Sequence, residues 1–420
     1  MIDFLSIYRE LDKTYNLKAK NEYEKLVNFS STKNLPIHRW YYYVEGYSPE
    51  LIKKTIDYLN ISNKINTVFD PFTGSGTTPV YSKTVGCTFF GFEINPFSCF
   101  MANVKSRNYT ENDIKEFQNF GYHLVHPIND VFEKYELRII RNLFSRETME
   151  EIESIKVGIN SVENIKVRDL LLFTLLSILP EASNYRKGGN GLKKKVRMIC
   201  STPSELFAKK RKEILIDIQA TNDTVEPVII NDSCLNLDNY LIPSIDFSIF
   251  SPPYANCFDP FEVYKIELWV GEFVKSYKEL RDFRKRGLTS NLYSNLDDNI
   301  FFPNISPLLA GILDYLSTKE LWDKKIPLML KRYFFEMDLL LNKLYLKMNP
   351  GGYCVIVVGN SAYANLAIPT DLLLSQLAEK CGFSVTEIIE ARRNETSSQQ
   401  HNKLGEYVDY IRESIIVLKK

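Results

Sequence analysis

The sequence predicts an α/β protein with a doubly wound, mostly parallel sheet of seven strands, an antiparallel last strand and helical insertions. Short apolar runs alternate with segments of helical periodicity, as in sheets whose strands are buried on both faces. A glycine-rich turn follows the first run directly, where such sheets bind ligands. Only a polar loop separates the last two runs, which predicts that they are antiparallel neighbours.

Each predicted element follows from a local pattern. The seven apolar runs predicted as strands are 67–69, 88–92, 227–230, 246–250, 353–358, 383–389 and 414–418. Helical spacing of apolar residues predicts helices over 148–159, 167–179, 203–218, 328–348 and 370–380. A further helix is expected to begin at Ser48 and Pro49, because serine caps helix N-termini and proline fits the first turn.

Composition narrows the class of protein. The chain has 420 residues and a formal net charge of zero, so any polyanion would be held by local basic patches. Its seven cysteines are scattered without CxxC pairs, which argues against a zinc site or disulfides and predicts a reducing, cytoplasmic location without metal. We see no signal peptide and no apolar run long enough for a membrane span.

The glycine-rich turn covers residues 70–78, between a predicted strand and a predicted helix. Gly74 and Gly76 would let the backbone approach a ligand closely. The turn is not a P-loop, because no lysine follows Gly76, and Pro79 stands where a dinucleotide fingerprint has its third glycine. These features favour a nucleoside ligand with a charged amino-acid tail over a pyrophosphate.

Three carboxylates are predicted to end strands at the same sheet edge. Asp70 could accept from an ammonium group, Glu93 could accept from both hydroxyls of a ribose, and Asp232 could accept from an adenine amino group. The fourth strand ends at this edge on Ser251-Pro252-Pro253-Tyr254, where two prolines must terminate pairing. The edge is therefore predicted to be the functional site.

Together these stretches resemble the S-adenosylmethionine-dependent DNA amino-methyltransferases, which methylate N4 of cytosine or N6 of adenine. Residues 70–78 match the DPFxGSGTT cofactor sequence, and residues 251–254 match the catalytic sequence (Asn/Asp/Ser)-Pro-Pro-(Tyr/Phe/Trp). Residues 46–51 resemble the segment before the cofactor sequence, and residues 349–352 resemble the turn before strand five. The cofactor sequence precedes the catalytic one, unlike the order in permuted relatives.

The resemblance implies a Rossmann-like methyltransferase sheet, S-adenosyl-L-methionine as cofactor and double-stranded DNA as partner. A restriction endonuclease that acts on the same site is a further partner consistent with it. The implied cofactor-binding residues are Tyr47, Ser48, Asp70, Pro71, Phe72, Gly74, Gly76, Thr77, Thr78, Glu93, Ile94, Asp232 and Ser233. The implied catalytic residues are Ser251, Pro252, Pro253 and Tyr254.

The implied reaction is direct methyl transfer to an exocyclic amine of a base that has left the duplex. Ser251 Oγ and the Pro252 carbonyl would accept the amine hydrogens, and Tyr254 would stack on the base. Methylation at cytosine C5 is disfavoured, because the chain has no Pro-Cys pair. The serine favours cytosine N4, with adenine N6 as the alternative; an RNA guanine methyltransferase and an inactive DNA-binding module are less favoured.

Two abnormally long connections suggest the domain organisation. We predict that residues 1–108 form the N-terminal segment and the cofactor-binding half, and that 109–225 are a helical insertion that could recognise DNA. Residues 226–420 would form the catalytic half, with a second insertion at about 255–327. The polar loop 394–402 could contact DNA, and cations in both insertions are candidate phosphate contacts. The candidate cations are Arg186, Lys187, Lys193, Lys194, Lys195, Arg284 and Arg286.

Overall fold

The protein is described here by a computed structural model that covers residues 2–188, 191–195, 201–219, 225–393 and 403–420. The strands are β1 Lys18–Ala19, β2 Thr67–Asp70, β3 Thr88–Phe92, β4 Tyr185–Gly188, β5 Gly191–Lys194, β6 Val228–Ile230, β7 Ile245–Phe250, β8 Met348–Gly359, β9 Ser361–Tyr363, β10 Leu366–Ile368, β11 Ser384–Arg393 and β12 Arg412–Lys419. The α-helices are α1 Phe4–Thr14, α2 Pro49–Leu59, α3 Thr77–Thr84, α4 Pro96–Ser106, α5 Glu111–Asn119, α6 Ile140–Leu143, α7 Arg146–Asn160, α8 Ile165–Ala182, α9 Pro203–Asp217, α10 Pro260–Val263, α11 Lys265–Val270, α12 Tyr277–Arg286, α13 Pro307–Ser317, α14 Ile326–Lys347 and α15 Thr370–Cys381.

Eight of these strands form the central sheet, in the order β1-β11-β12-β8-β7-β2-β3-β6. The five strands from β8 to β6 are parallel to one another, and β12 runs antiparallel between β8 and β11. The seven predicted strands and the antiparallel last strand are confirmed. The structure adds β1, which the sequence did not predict because two residues are too short to show a period.

Both faces of the sheet are covered, as a doubly wound fold requires. In β8, Ile356 and Val358 pack into the core cluster that contains α14 and α15. The alternate residues Val355 and Val357 face the opposite cluster, which contains the apolar side of α2. The predicted start of α2 is also confirmed, because the Ser48 side chain accepts a hydrogen bond from the N–H of Glu50.

The strand order reverses between β2 and β7. From β2 the sheet continues through β3 to β6 on one side, and from β7 it continues through β8 on the other. The segments that leave the carboxyl ends of β2 and β7 therefore diverge, and the crevice between them is the usual ligand site of such sheets.

The long connection between β3 and β6 contains several helices that pack around one apolar cluster. Helices α7, α8 and α9 contribute a large share of that cluster, and residues of α4, α11, α12 and the N-terminal segment complete it. The hairpin of β4 and β5 extends from the end of α8 and is anchored by Tyr185, which is fully buried. Within the described ranges, no helix has the length and apolar character needed to cross a bilayer.

Candidate active site

A cavity of about 300 Å³ lies at the carboxyl ends of β2, β3, β6 and β7, at the point where the strand order reverses. It brings together the predicted cofactor turn and the predicted catalytic turn, which are far apart in sequence. The predicted cofactor residues on its wall are Tyr47, Pro71, Phe72, Gly74, Thr77, Glu93, Ile94, Asp232 and Ser233. All four predicted catalytic residues, Ser251, Pro252, Pro253 and Tyr254, also line it.

The two glycines of the turn have different roles. Both have left-handed backbone conformations, with φ of 53° at Gly74 and 85° at Gly76. Gly74 lies on the cavity wall and donates its backbone N–H to Glu93 Oε2 at 2.8 Å. A Cβ on Gly76 would lie 2.9 Å from the Cα of Ala102, so this glycine allows α3 to pack closely against α4.

Asp70 lies behind the cavity wall and holds the turn together. Its oxygens accept hydrogen bonds from the N–H of Phe72 at 2.9 Å, from Thr78 Oγ1 at 2.6 Å and from the Tyr47 hydroxyl at 3.2 Å. Burial raises the pKa of Asp70 to about 6. Ser48, Gly76 and Thr78 likewise lie outside the wall, so four of the predicted cofactor residues support the cavity from behind.

The pKa values of the Glu93 and Asp232 carboxyl groups are shifted in opposite directions. Glu93 Oε1 and Oε2 accept from the N–H groups of Asn95 and Gly74, each at 2.8 Å, but burial outweighs these bonds and raises the pKa of Glu93 to about 7. Burial would also raise the pKa of Asp232, but hydrogen bonds from Asn236, Ser233 and Tyr240 outweigh it and hold that pKa below its usual range.

The predicted catalytic turn, residues 251–254, continues directly from β7. The ring of Tyr254 packs against Gly359, where a Cβ would come within 2.8 Å of the ring carbon Cε2. Its hydroxyl donates to Glu413 Oε1 at 2.5 Å, and Ser251 Oγ donates to that hydroxyl at 3.4 Å. Burial, together with the nearby Glu413 carboxylate, raises the pKa of Tyr254 well above its usual value, so the hydroxyl keeps its proton.

The wall also contains residues that the sequence did not suggest, among them Tyr43, Glu45, Asn256, Phe258, Arg392 and Glu413. Glu45 Oε1 is buried and has no hydrogen-bond partner among the described residues, and burial raises the pKa of this carboxyl group. The only signal for Glu45 is its position next to the segment 46–51. For Glu413 the signal is a charged residue near the start of a strand whose middle is apolar.

The basic hairpin of β4 and β5 carries cations in two environments. Arg186, Lys193 and Lys194 are exposed. Lys187 points inward: its side chain is 7% exposed and pairs with Glu267 at 2.8 Å. Lys195 donates to the carbonyl oxygens of Pro180 at 2.6 Å and Ser183 at 3.3 Å. Arg186, Lys193 and Lys194 are thus more exposed to solvent than Lys187 and Lys195.

The two predicted cations of the second insertion also differ. Arg286 is exposed at the end of α12. Arg284 is mostly buried, pairs with Asp259 at 2.6 Å and lines the cavity. The polar loop 394–402 lies outside the described residues. Among the residues that are described, no cluster of three His, Cys, Asp or Glu side chains could hold a metal ion.

The family model and the relatives that match this chain are all described as DNA methylases or type II methyltransferases. The N6/N4 methyltransferase family model, described as "DNA methylase", matches residues 8–104. Type II methyltransferase M.BsoBI of Geobacillus stearothermophilus is 28% identical over 94% of this chain and 88% of its own length. M.AvaI of Nostoc sp. is 27% identical over 90% and 85%, and M.MvaI of Kocuria varians is 22% identical over 96% and 95%.

Proposed function

We propose that the chain is an amino-methyltransferase of the N4/N6 DNA methylase family, whose model matches residues 8–104, and that it methylates the N4 amine of a cytosine flipped out of duplex DNA. The observation that carries the proposal is the single cavity lined by both the glycine turn and the Ser251–Tyr254 turn. Three relatives that match this chain over most of their length are named type II methyltransferases. We therefore further propose that the protein serves a restriction-modification system, with a restriction endonuclease specific for the same site.

S-adenosyl-L-methionine is the methyl donor of this family, and when bound it supplies a methyl group carried on a positively charged sulfur. The cavity fits such a ligand, because its wall is rich in acceptors while the ligand offers an ammonium group, ribose hydroxyls and an adenine amine. We propose that Glu93 accepts from the ribose hydroxyls and that Asp232 accepts from the adenine amine. The unpartnered oxygen of Glu45 is a suitable acceptor for the ammonium group.

The chain's own contribution to transfer would be to hold the target amine. The lone pair on the nitrogen of that amine is conjugated with the base ring, so the nitrogen is a poor nucleophile. Ser251 Oγ and the Pro252 carbonyl would accept the two amine hydrogens and draw the nitrogen toward tetrahedral geometry. Two consecutive prolines restrict where that carbonyl points, which is the preorganisation such an acceptor needs. The amine must leave the base stack to reach this cavity.

The identity of the base is the first thing to test. Purified protein would be incubated with labelled S-adenosyl-L-methionine and DNA from a host that lacks DNA methylation, and the digested nucleosides analysed by mass spectrometry. We expect N4-methylcytosine. Exclusive N6-methyladenine would assign the protein to the alternative class, and no transfer to DNA at all would contradict a DNA methyltransferase.

We also propose that the exposed cations of the hairpin, Arg186, Lys193 and Lys194, contact the phosphate backbone, together with Arg286. Lys187 and Lys195 would support the hairpin from inside, through the ion pair and the carbonyl contacts described above.

Methylation-aware sequencing of DNA from cells that express the protein would identify the methylated base and its sequence context together.

A further inference from the structure

A chain of hydrogen bonds runs from the surface of the sheet into the cavity. Because β12 is antiparallel, it begins where β8 ends, and Glu413 is paired with Gly359 of β8 on one side and with Arg392 of β11 on the other. Arg392 donates to Glu413, Glu413 accepts from the Tyr254 hydroxyl, and that hydroxyl accepts from Ser251 Oγ. All four residues line the cavity.

Arg392, the residue farthest from Ser251 in this series of hydrogen bonds, sets the donor and acceptor of each bond. A guanidinium can only donate, so the Glu413 carboxylate accepts from Arg392 with one oxygen and from Tyr254 with the other. The Tyr254 oxygen, having given its hydrogen to Glu413, is left as the acceptor for the Ser251 hydrogen. The lone pairs of Ser251 Oγ are then available to donors within the cavity.

Packing holds this arrangement in place. The side chain of Glu413 is 3% exposed, and buried hydrogen bonds to charged groups are among the stronger ones. The Tyr254 ring rests on Gly359, where a side chain would displace it, since a Cβ there would come within 2.8 Å of the ring. Neither Glu413 nor the Tyr254 hydroxyl is therefore free to reorient without losing a partner.

We propose that Glu413 is a positioning residue for methyl transfer: by accepting the Tyr254 hydroxyl hydrogen, it directs the Ser251 hydrogen away from the cavity and makes Ser251 Oγ an acceptor for the target amine. This inference rests on the proposed function. It differs from a structural role, because an ion pair that only stabilises the sheet would affect stability and leave the orientation of Ser251 unchanged.

The isosteric variant Glu413→Gln tests the direction of the bonds. Its amide carbonyl must face Arg392, so its NH₂ would face Tyr254 and donate to it, which reverses the chain and points the Ser251 hydrogen into the cavity. We expect kcat to fall about tenfold or more. The KM for DNA and the calorimetric affinity for S-adenosyl-L-homocysteine, a non-reactive product, should change less than about twofold.

A double-mutant cycle with Tyr254→Phe separates this role from others. If Glu413 acts only through the Tyr254 hydroxyl, adding Glu413→Gln to Tyr254→Phe should lower kcat no further. Glu387→Gln is the matched control, because Glu387 is 3% exposed, pairs with Lys18 and belongs to the same sheet, yet lies outside the cavity wall. That variant should lose stability in urea denaturation and keep its kcat.

Each outcome is decisive. An unchanged kcat in Glu413→Gln, or an equal fall in kcat in the wild-type and Tyr254→Phe backgrounds, would overturn the positioning role while methyl transfer by the wild type stands. A fall in kcat matched by Glu387→Gln would assign the effect to stability and also overturn it. Absence of transfer by the wild-type protein would refute the proposed function, and this inference with it.

Discussion

Gly74 and Glu93 are joined by a hydrogen bond of 2.8 Å from the backbone nitrogen of the glycine to the carboxylate. The bond connects the turn after β2 to the end of the neighbouring strand β3, so these two parts of the cavity wall are held as one unit. It also fixes a carboxylate on the cavity wall in a buried setting, where its charge is unfavourable until a ligand donates to it.

Cofactor affinity should therefore rise with pH. Burial raises the pKa of Glu93 to about 7, and hydroxyl donors favour the ionised carboxylate, so affinity is expected to increase as pH rises to about 7 and then level off. Calorimetry across this range would measure it. Glu93→Gln should bind more weakly and show a smaller pH dependence than the wild type, whereas the exposed control Glu406→Gln should behave like the wild type.

The raised pKa of Glu93 also predicts how the stability of the cofactor-free protein depends on pH. Because its pKa is higher in the folded than in the unfolded state, the contribution of Glu93 is fully present below its ordinary pKa and is lost as pH rises through about 7. The free energy of unfolding in urea should fall across that window. A Glu93→Gln variant with the same slope as the wild type would contradict this assignment.

Gly76→Ala should destabilise the protein through both backbone strain and packing. Its φ of 85° disfavours a side chain, and the new Cβ would lie 2.9 Å from the Cα of Ala102. We expect a loss of about 2–4 kcal/mol in urea denaturation. Gly86→Ala is the control, because Gly86 has a φ of 75° with open space around it, and the difference between the variants isolates the packing contribution.

Reversing the exposed charges of the hairpin should weaken DNA binding. The variant with Arg186, Lys193 and Lys194 all changed to Glu should bind duplex DNA less tightly, and its salt-dependence slope should decrease by about 0.9 for each phosphate group that the hairpin no longer neutralises. Binding measured at several salt concentrations tests this. Lys13→Glu, Lys25→Glu and Lys53→Glu, combined at exposed positions outside the hairpin, make the same change in net charge and should leave the slope unaltered.

The buried cation of the hairpin should act on stability instead. Lys187 lies 2.8 Å from the fully buried Glu267 and 4.0 Å from the ring centroid of Tyr264. Lys187→Met would leave the Glu267 carboxylate buried without its cation, at a cost of about 3–5 kcal/mol in unfolding free energy. The double variant Lys187→Met with Glu267→Leu should recover most of that loss, and failure to recover it would argue that the pair is needed for packing.

Much of the fold could be predicted from local patterns. Apolar runs such as β8 and the glycine turn at Gly74 and Gly76 carry their signals within a few residues, so their structures followed from sequence. The strand β1 could not be predicted, because its two residues pair with β11 only through contacts made by the rest of the fold. The inward orientation of Lys187 was equally hidden, since its partner Glu267 is distant in sequence.

By itself, the sequence determined the sheet and the two turns that line the cavity, because proline, glycine and apolar periodicity act locally on the backbone. Only the tertiary structure decided which groups reach the cavity. It placed Asp70 behind the wall and brought Glu413 to Tyr254 across 159 residues of chain. The physical reason is the strand order: an antiparallel strand presents its first residues where parallel strands present their last, and that pairing depends on long-range register.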